Sequence, residues 1–317
     1  MKLATLKDGS PDGVLSVVDQ AGARFIEVGE VPTLQSLMDD WNAGQAALRK
    51  AQARLAAGEG EPLTSDRIAA PLPRAWQWLD GSAFSTHGDL MQVAFGHDPI
   101  ETDRPLMYQG MSDRFFGPTD DIPLPTTDHG IDFEGEFGVI VDHVPMGTNA
   151  ADAMKHIRLI VQINDWSLRA IAPVEMKTGF GWVQAKPACS MAPFAVTPDE
   201  LGDAWQNGRA HLDLAIDWNG NRFGSANGGE MAFGFHELVA HAALTRDLVA
   251  GTVIGSGTVS NRNYADVGSS CISEVRAIEI IAHGAPKTPF MAFGDCIRMV
   301  GRAKDGSERH CQMNCIG

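Results

Sequence analysis

Residues 130–142, with the sequence GIDFEGEFGVIVD, contain two carboxylates separated by a single glycine at the start of an apolar run. A run of this kind predicts a buried strand. Because residues two apart point to the same face of a strand, Glu134 and Glu136 would lie side by side next to a core. Two such carboxylates repel each other unless one is protonated or a divalent cation binds between them. The alternative is a solvated strand edge, with Phe133 and Phe137 packed on the opposite face.

A second apolar run, IRLIVQIN at residues 157–164, is followed by an acidic residue, Asp165. The run predicts another buried strand, and a carboxylate at the end of such a strand can project into a cleft. The alternative is a turn or a helix N-cap, where Asp is common. Together with Glu134 and Glu136, Asp165 would supply three oxygen donors, a partial shell for Mg²⁺ that water and substrate complete.

Two basic residues follow the second run: Arg169, four residues beyond Asp165, and Lys186, in QAKPACSMAPF. Either residue can be an ordinary surface charge. In an acidic protein, cations beside a metal site are also natural anchors for a carboxylate substrate and for a developing oxyanion.

A candidate acid–base pair comes from distant parts of the chain. His87, in LDGSAFSTHGDL, follows Asp80 by seven residues, and Glu274 lies in GSSCISEVRAIEI. A lone histidine is commonly structural or exposed, and Glu274 would be a solvent-facing residue of a strand. If the two side chains meet, Glu274 orients the His87 ring and raises its basicity, as a general base requires. The run VIGSGTVSN, residues 253–261, lacks the lysine of a P-loop but lets backbone N–H groups approach a substrate.

The N-terminal part of the chain differs from the rest. Residues 1–32 predict short strands in KLATL, VLSVVD and ARFIEV. Thr33 is a candidate N-cap for a helical stripe that continues to Gly58. Residues 58–75 are rich in proline and polar residues and predict a linker.

We therefore expect residues 1–75 to form a small N-terminal α+β domain with its linker, and residues 76–317 to form a β-rich mixed α/β domain. In the larger part, strands are predicted in FGVIVDHV, IRLIVQIN, HLDLAIDWNG, VRAIEIIA and part of CIRMVGRA. Helices are predicted near Ala150–His156 and Phe235–Leu244. Long irregular connections usually carry function, and here they are residues 97–130, 166–200 and 255–272.

Composition excludes several functions. Asp and Glu number 40 against 25 Lys and Arg, a net charge of −15, so we expect no nucleic-acid partner. No apolar run approaches the ~20 residues that span a bilayer, and the N-terminus lacks a signal-peptide core, so we expect no membrane partner and a cytoplasmic location. The five scattered cysteines predict free thiols in a reducing compartment. Cys311 and Cys315 lack the second pair of ligands that a zinc site needs.

In this order, the motifs resemble those of the fumarylacetoacetate hydrolase family over residues 75–300. The E-x-E of IDFEGEFGVIV is followed by NDWSLR, by a lysine before a proline-containing segment, and by GSGTVS. The resemblance implies a fold built around a mixed β-roll, usually a homodimer, with a small N-terminal accessory domain in several members. It also implies a Mg²⁺ or Ca²⁺ site, with Mn²⁺ as a further option.

The resemblance also implies roles for individual residues. Glu134, Glu136 and Asp165 match the acidic ligands. Asp80 and His87 reproduce the spacing between a further ligand and the catalytic histidine of the fumarylacetoacetase branch. Glu274 matches the glutamate that pairs with this histidine, after a two-residue insertion. Arg169 matches the arginine of NDWS-x-R, and Lys186 matches the family lysine after a shift of one residue. Tyr108 matches a substrate-contacting tyrosine, and Thr258 matches the threonine of the GSGT loop.

The family motif usually continues to a glutamine where this chain has Ala172, so the oxyanion site has one donor fewer or draws it from elsewhere. The implied reaction is metal-dependent hydrolysis of a C–C bond in a β-diketone or 2,4-dioxo acid, such as fumarylacetoacetate or an acylpyruvate, in aromatic or amino-acid catabolism such as tyrosine degradation. The alternatives are a 2-oxo acid decarboxylase, hydratase or isomerase using the same site, and a scaffold protein that has lost catalysis. Loops at residues 97–125 and 170–185 would select the substrate.

Overall fold

The computed structural model describes residues 1–96 and 102–317. In these residues the strands are β1 Lys2–Leu6, β2 Val14–Val18, β3 Arg24–Glu27, β4 Glu61–Pro62, β5 Trp78–Gly81, β6 Met107–Gly110, β7 Ile131–Asp132, β8 Gly135–Val141, β9 Ile157–Asn164, β10 Ser167–Leu168, β11 Ser190–Met191, β12 Ala195–Val196, β13 Trp205–Gln206, β14 Arg209–Ala210, β15 Asp213–Trp218, β16 Asn221–Asn227, β17 Thr252–Gly255, β18 Cys296–Arg302 and β19 Glu308–Cys315. The α-helices are α1 Leu34–Asp39, α2 Trp41–Ala56, α3 Ser85–Phe95, α4 Ala150–Ala153, α5 Ala172–Thr178, α6 Pro198–Leu201, α7 Phe235–Ala242, α8 Tyr264–Val267 and α9 Ile272–His283. Short 3₁₀ turns lie at Ser65–Arg67, Thr127–His129, Met154–His156, Gly202–Ala204 and Gly228–Glu230.

Eleven strands form one mixed sheet with β8 and β9 near its centre. Its order is β4-β3-β2-β1-β12-β9-β8-β17-β5-β6, and β11 also pairs with the end of β9. The pairs are antiparallel except β17 and β5, which run parallel. Strands β8 and β9 are buried along almost their whole length, as their continuous apolar runs predict.

A second, antiparallel sheet of four strands, in the order β16-β15-β18-β19, packs against the first. The contact is close at Gly135, where an added Cβ atom would lie 2.8 Å from the side chains of Leu214 and Ile216. These residues share one buried core with Phe137 and Met299. The β-rich mixed α/β fold predicted from the sequence is therefore confirmed.

The N-terminal strands extend the main sheet, because β1 pairs with β12. Thr33 caps α1 as predicted, accepting the N–H of Ser36 at 3.1 Å. The helical stripe that follows forms two helices rather than one, because Asp40 leaves the helical conformation and caps α2 through the N–H of Ala43 at 3.0 Å. The domain boundary near residue 75 stays a prediction, since core residues of this part pack in one cluster with residues of β8 and β9.

The segment VRAIEIIA was predicted as a strand, and this prediction is wrong, because it lies in helix α9. Cys271 caps the helix by accepting the N–H of Glu274, and Gly284 ends it in the left-handed conformation. A short apolar run does not by itself distinguish a helix from a strand. The helices predicted near Ala150–His156 and Phe235–Leu244 are present as α4 with its following 3₁₀ turn and as α7.

The prediction that the cysteines are all free thiols is also wrong. Cys296 and Cys315 are cross-strand partners in β18 and β19 and form a disulfide, whereas Cys189, Cys271 and Cys311 are free. The pairing follows from strand register, which the sequence spacing of 19 residues does not reveal. Within the described ranges, no helix is long and apolar enough to cross a membrane. The predicted loop 97–130 begins with residues 97–101, which lie outside the described residues.

Candidate metal and catalytic site

Three strands of the main sheet, two of them adjacent and the third separated from them by β17, bring carboxylates together. Asp80 lies in β5, Glu136 in β8, and Asp165 directly follows β9. One carboxylate oxygen of each lies within 4.8 Å of the others, and all three residues are buried. Gly255, at the end of β17, leaves space for this three-carboxylate cluster: an added Cβ atom would lie 2.4 Å from Oδ1 of Asp80 and 2.9 Å from Oε2 of Glu136.

The cluster is electrostatically unfavourable when no cation is bound. Burial, followed by the Asp165 carboxylate, raises the pKa of Asp80 to about 8. Burial, followed by Asp80 and Asp165, raises the pKa of Glu136 well above its usual value. Both carboxylate oxygens of Glu136 are buried, and neither accepts a hydrogen bond from an N–H or hydroxyl group of the other described residues; the neighbour of this side chain is the Asp80 carboxyl group. A buried group of oxygen donors with these properties fits a hard divalent cation.

Asp165 is held in place by three donors. Its Oδ2 accepts hydrogen bonds from the hydroxyl of Tyr108 and from Nζ of Lys186, each at 2.6 Å, and its Oδ1 accepts one from Sγ of Cys189 at 3.1 Å. Burial, followed by the Asp165 charge, raises the pKa values of the Tyr108 and Cys189 side chains well above their usual values, so both stay protonated and can donate. The orientation of this carboxylate is therefore determined by its neighbours.

Glu134 lies outside the three-carboxylate cluster and faces cations instead. Its Oε1 lies 2.5 Å from Nη2 of Arg169 and 3.0 Å from Nζ of Lys186, and it accepts a hydrogen bond from Ser167 at 3.0 Å. Its Oε2 accepts one from Thr258 at 2.9 Å. Burial raises the pKa of Glu134, but Lys186 and Arg169 outweigh burial and hold this pKa below its usual value. The predicted role of Glu134 as a metal ligand stays a prediction.

The two predicted cations are mostly buried and fully charged. Burial lowers the pKa of Lys186, but Asp165 and Glu134 outweigh it and raise the pKa above its ordinary value. Burial likewise lowers the pKa of Arg169, but Glu134 and Asp132 outweigh burial and raise this pKa above its ordinary value. Carboxyl groups outnumber these two cations in and around the cluster. The carboxyl groups are those of Asp80, Asp132, Glu134, Glu136 and Asp165. The excess negative charge favours a cation.

The candidate acid–base pair forms. Nδ1 of His87, on α3, lies 2.9 Å from Oε2 of Glu274, on α9, and the two helices pack together. The His87 side chain is 17% exposed, whereas that of Glu274 is fully buried. The start of α9 lies next to Glu134, because Cys271 forms an isolated β-bridge with that residue. Glu274 is thus a buried helical residue, not a solvent-facing residue of a strand.

Tyr108 also lines a cleft of about 640 Å³ between the segment that contains α5 and the end of α7. The α5 segment contributes Met176, Phe180 and Trp182, and the ring of Trp182 contacts that of Tyr108 edge-on at 6.1 Å between centroids. Ala172 occupies the first residue of α5 and supplies no polar donor. None of the three cluster residues lines this cleft, and Tyr108, whose hydroxyl donates to Asp165, is the residue that links the two.

Two buried residues that contact the site were missed in the sequence analysis. Cys189 donates to Asp165, and Asp132 accepts from Nε of Arg169 at 2.8 Å. A signal for Asp132 was present, because it precedes Glu134 by two residues in an acidic, otherwise apolar segment. Cys189 carried no comparable signal, since a lone cysteine is usually a small core residue.

Comparison with known proteins identifies the family. Residues 77–304 match the family model of the fumarylacetoacetate hydrolase C-terminal domain, and residues 1–74 match that of fumarylacetoacetase N-terminal domain 2. The chain therefore belongs to the fumarylacetoacetate hydrolase family. The family and fold expected from the motif order are confirmed.

Three relatives of this chain are named for different reactions or substrates. A 2,4-didehydro-3-deoxy-L-rhamnonate hydrolase from Sphingomonas sp. (strain SKA58) is 28% identical over 163 residues, which are 50% of this chain and 54% of that protein. The human mitochondrial oxaloacetate tautomerase FAHD2A is 26% identical over 238 residues, 72% of this chain and 70% of that protein. The crystal structure of maleylpyruvate hydrolase from Sphingobium sp. SYK-6 in complex with manganese(II) ion and pyruvate has a TM-score of 0.66 and 18% identity and covers 100% of both chains. Hydrolases and a tautomerase thus both occur among the relatives.

Proposed function

We propose that this chain is a divalent-cation-dependent hydrolase that cleaves a C–C bond in a β-diketone acid, such as fumarylacetoacetate or a 2,4-dioxo acid of the acylpyruvate type. The observation that carries the proposal is the contact between His87 and buried Glu274 at 2.9 Å, on a helix that begins beside Glu134. A histidine–carboxylate pair is suited to activating water, which a hydrolase needs and a tautomerase does not. Relatives named as hydrolases support the same reaction class.

The residues present fit Mg²⁺, Ca²⁺ or Mn²⁺. Asp80, Glu136 and Asp165 would hold the cation, with Glu134 as the predicted fourth ligand. The support is the buried Glu136 carboxylate, which faces the Asp80 carboxyl group and accepts no hydrogen bond from an N–H or hydroxyl group within the described part of the chain. The manganese and pyruvate named for the structure from Sphingobium sp. SYK-6 support a divalent cation and a 2-oxo acid. When bound, the cation would supply Lewis-acid chemistry by polarising the two oxygens of a dicarbonyl substrate.

His87 is the proposed general base. Because Oε2 of Glu274 contacts Nδ1, the neutral ring carries its proton on Nδ1 and accepts another from water at Nε2. The resulting hydroxide attacks a carbonyl carbon of the substrate. The adjacent C–C bond then breaks, its electron pair leaves with the other fragment as an enolate, and a proton from His87 returns to that carbon. The products are two carbonyl compounds whose combined atoms equal substrate plus water.

Arg169 and Lys186 would stabilise the negative charge that develops on the attacked carbonyl oxygen. A donor placed in this way contributes ~3 kcal/mol to the transition state. Both are already oriented by buried carboxylates, Arg169 by Glu134 and Lys186 by Glu134 and Asp165. Their positive charge also allows an anionic substrate to approach a site rich in carboxylates.

Product analysis tests the proposal. The chain is incubated with acetylpyruvate and Mg²⁺, and the products are measured by mass spectrometry. Formation of acetate and pyruvate, abolished by EDTA and restored by Mg²⁺, is the expected result. No turnover of acetylpyruvate, fumarylacetoacetate or a longer acylpyruvate would contradict it.

A second candidate is enol–keto tautomerisation or decarboxylation of oxaloacetate. The observation that favours it is the 26% identity to the human oxaloacetate tautomerase over 72% of this chain. These reactions use the same carboxylates and cations but no attacking water. Oxaloacetate turnover that survives His87→Ala, without cleavage of any dioxo acid, would favour this candidate over the hydrolase.

We further propose a homodimer in the cytoplasm with a small-molecule substrate as its ligand, and light scattering of the purified chain tests the dimer.

A further inference from the structure

Asp132 is a buried carboxylate that belongs to neither the three-carboxylate cluster nor the proposed acid–base pair. It has 0% exposed surface and contacts three donors. Its Oδ1 accepts the N–H of Ile272 at 2.7 Å, and its Oδ2 accepts the N–H of Ser273 at 2.9 Å and Nε of Arg169 at 2.8 Å. Both oxygens are therefore used, and they bind two different parts of the site.

The first part is the start of helix α9. The first N–H groups of a helix have no partner within the helix, and a carboxylate placed there satisfies them and interacts favourably with the helix dipole. The two N–H groups that Asp132 binds immediately precede Glu274, whose own N–H is bound by Cys271 at 3.3 Å. The position of Glu274, and through it that of His87, depends on where this helix begins.

The second part is the guanidinium of Arg169. Strand β7 pairs with β10, so that Asp132 lies opposite Ser167 and Arg169 follows directly after β10. With Nε held by Asp132, the guanidinium presents Nη2 to Glu134 at 2.5 Å. A planar guanidinium held at two atoms has little freedom to rotate.

We propose that Asp132 is a positioning residue that couples the His87–Glu274 pair to the Arg169 cation, so that general base and oxyanion stabiliser keep a constant relative position. The inference rests on the proposed function for its effect on rate. Its structural part, that one carboxylate orders both the start of α9 and the Arg169 segment, does not depend on the substrate.

Asp132→Asn is the informative variant because it keeps the shape and removes the charge. Asparagine has one acceptor oxygen, so its NH₂ group must face either the helix N–H groups or the guanidinium, which are all donors. With acetylpyruvate as substrate, we expect kcat to fall roughly 10–100-fold, the range typical for residues that orient a reacting group. The affinity for Mg²⁺, measured by calorimetry, should change little because Asp132 is outside the three-carboxylate cluster.

Asp142→Asn is a matched control. Asp142 accepts from Nδ1 of His156 and from Nε of Arg158, each at 2.6 Å, which is a similar carboxylate with an arginine partner after the other end of β8. It should lower stability without changing kcat. If Asp132→Asn does not fold, Asp132→Ser, a helix-capping side chain without charge, is measured in the same way.

Double variants separate positioning from general destabilisation. If Asp132 acts through both partners, Asp132→Asn should lower kcat less in a Glu274→Gln background and less in an Arg169→Met background than in wild type. A full-size effect in both backgrounds would show a merely structural role and overturn the proposal. An effect lost in only one background would overturn the coupling, since Asp132 would then serve a single partner.

Hydrogen exchange tests the structural part without any substrate. Asp132→Asn should raise exchange both in the first turn of α9 and in the Ser167–Arg169 segment, whereas Asp142→Asn should raise it in neither. Unchanged exchange in either segment would overturn the proposal. A wild-type chain inactive on acetylpyruvate but with the expected exchange pattern would count against the proposed function alone.

Discussion

Asp80→Asn should stabilise the metal-free protein and abolish its stabilisation by a divalent cation. In the metal-free protein, burial and the Asp165 charge raise the pKa of Asp80 from 3.8 to about 8. A carboxyl group whose pKa is raised by folding costs no stability below its unfolded value, and the cost grows as pH rises toward the folded value. At about 1.4 kcal/mol for each pKa unit, the cost at pH 8 is several kcal/mol, on the order of 5. Asparagine has the same shape and no charge, so it removes this cost.

The assay is urea unfolding in EDTA at several pH values between about 4 and 8, the interval over which the Asp80 cost develops. The free energy of unfolding of Asp80→Asn should exceed that of wild type by several kcal/mol at pH 8, and the difference should shrink toward pH 4. Excess Mg²⁺ should raise the stability of wild type and leave the variant unchanged. A variant that is less stable than wild type in EDTA at pH 8, or a gain that does not depend on pH, would refute this reasoning.

Three further substitutions test neighbouring parts of the site. Gly255→Ala places a methyl group 2.4 Å from a cluster oxygen. Calorimetry should therefore show weaker Mg²⁺ binding, and urea unfolding should show a free energy of unfolding lower by about 1–3 kcal/mol. Gly29→Ala, whose methyl group meets open space, should change neither quantity. Cys189→Ala should lower the Mg²⁺ affinity several-fold, because Oδ1 of Asp165 loses its donor. Cys189→Ser keeps a donor and should retain most of the wild-type affinity. Equal affinities for the two variants would count against this contact. Lys186→Met removes a partner from two buried carboxylates and should cost about 3–5 kcal/mol in urea unfolding, so a loss below about 1 kcal/mol would show that the pair is not maintained in solution.

Strands β8 and β9 and most of the site were predictable from the sequence because each rests on a local pattern. Continuous apolar runs bounded by polar residues identify buried strands, and carboxylates at the ends of such strands have few other reasons to be there. The roles of Asp80 and His87 and of the NDWSLR motif were predicted from the resemblance to the fumarylacetoacetate hydrolase family. The fold then brings the resulting side chains into contact, as the Tyr108–Asp165 and Thr258–Glu134 hydrogen bonds show.

The period-two rule does not say which partners Glu134 and Glu136 meet. The rule assumes a regular strand, but β8 begins at Gly135, and Glu134 lies before it in an isolated bridge with Cys271. Its carboxylate therefore meets Arg169 and Lys186, whereas that of Glu136 meets other carboxylates. Two identical residues two positions apart consequently have pKa values shifted in opposite directions.

Long-range register explains the remaining failures. The Cys296–Cys315 disulfide depends on which residues of β18 and β19 face each other, and the contacts of Asp132 join it to backbone N–H groups 140 and 141 residues away. Neither arrangement leaves a local pattern. Glu274 was assigned correctly as a partner of His87 although its secondary structure was wrong, because the prediction rested on motif order rather than on periodicity.

The most direct test of the proposed mechanism is the hydrolysis of acetylpyruvate by His87→Ala compared with His156→Ala, at saturating Mg²⁺. His156 is a matched control, since its Nδ1 also contacts a carboxylate, that of Asp142, at 2.6 Å, away from the cluster. We predict that His87→Ala lowers kcat by roughly 10²–10⁴-fold while Mg²⁺ affinity is retained, and that His156→Ala keeps the wild-type kcat. A His87→Ala protein that binds Mg²⁺ and hydrolyses acetylpyruvate at the wild-type rate would contradict the assignment of His87 as the general base.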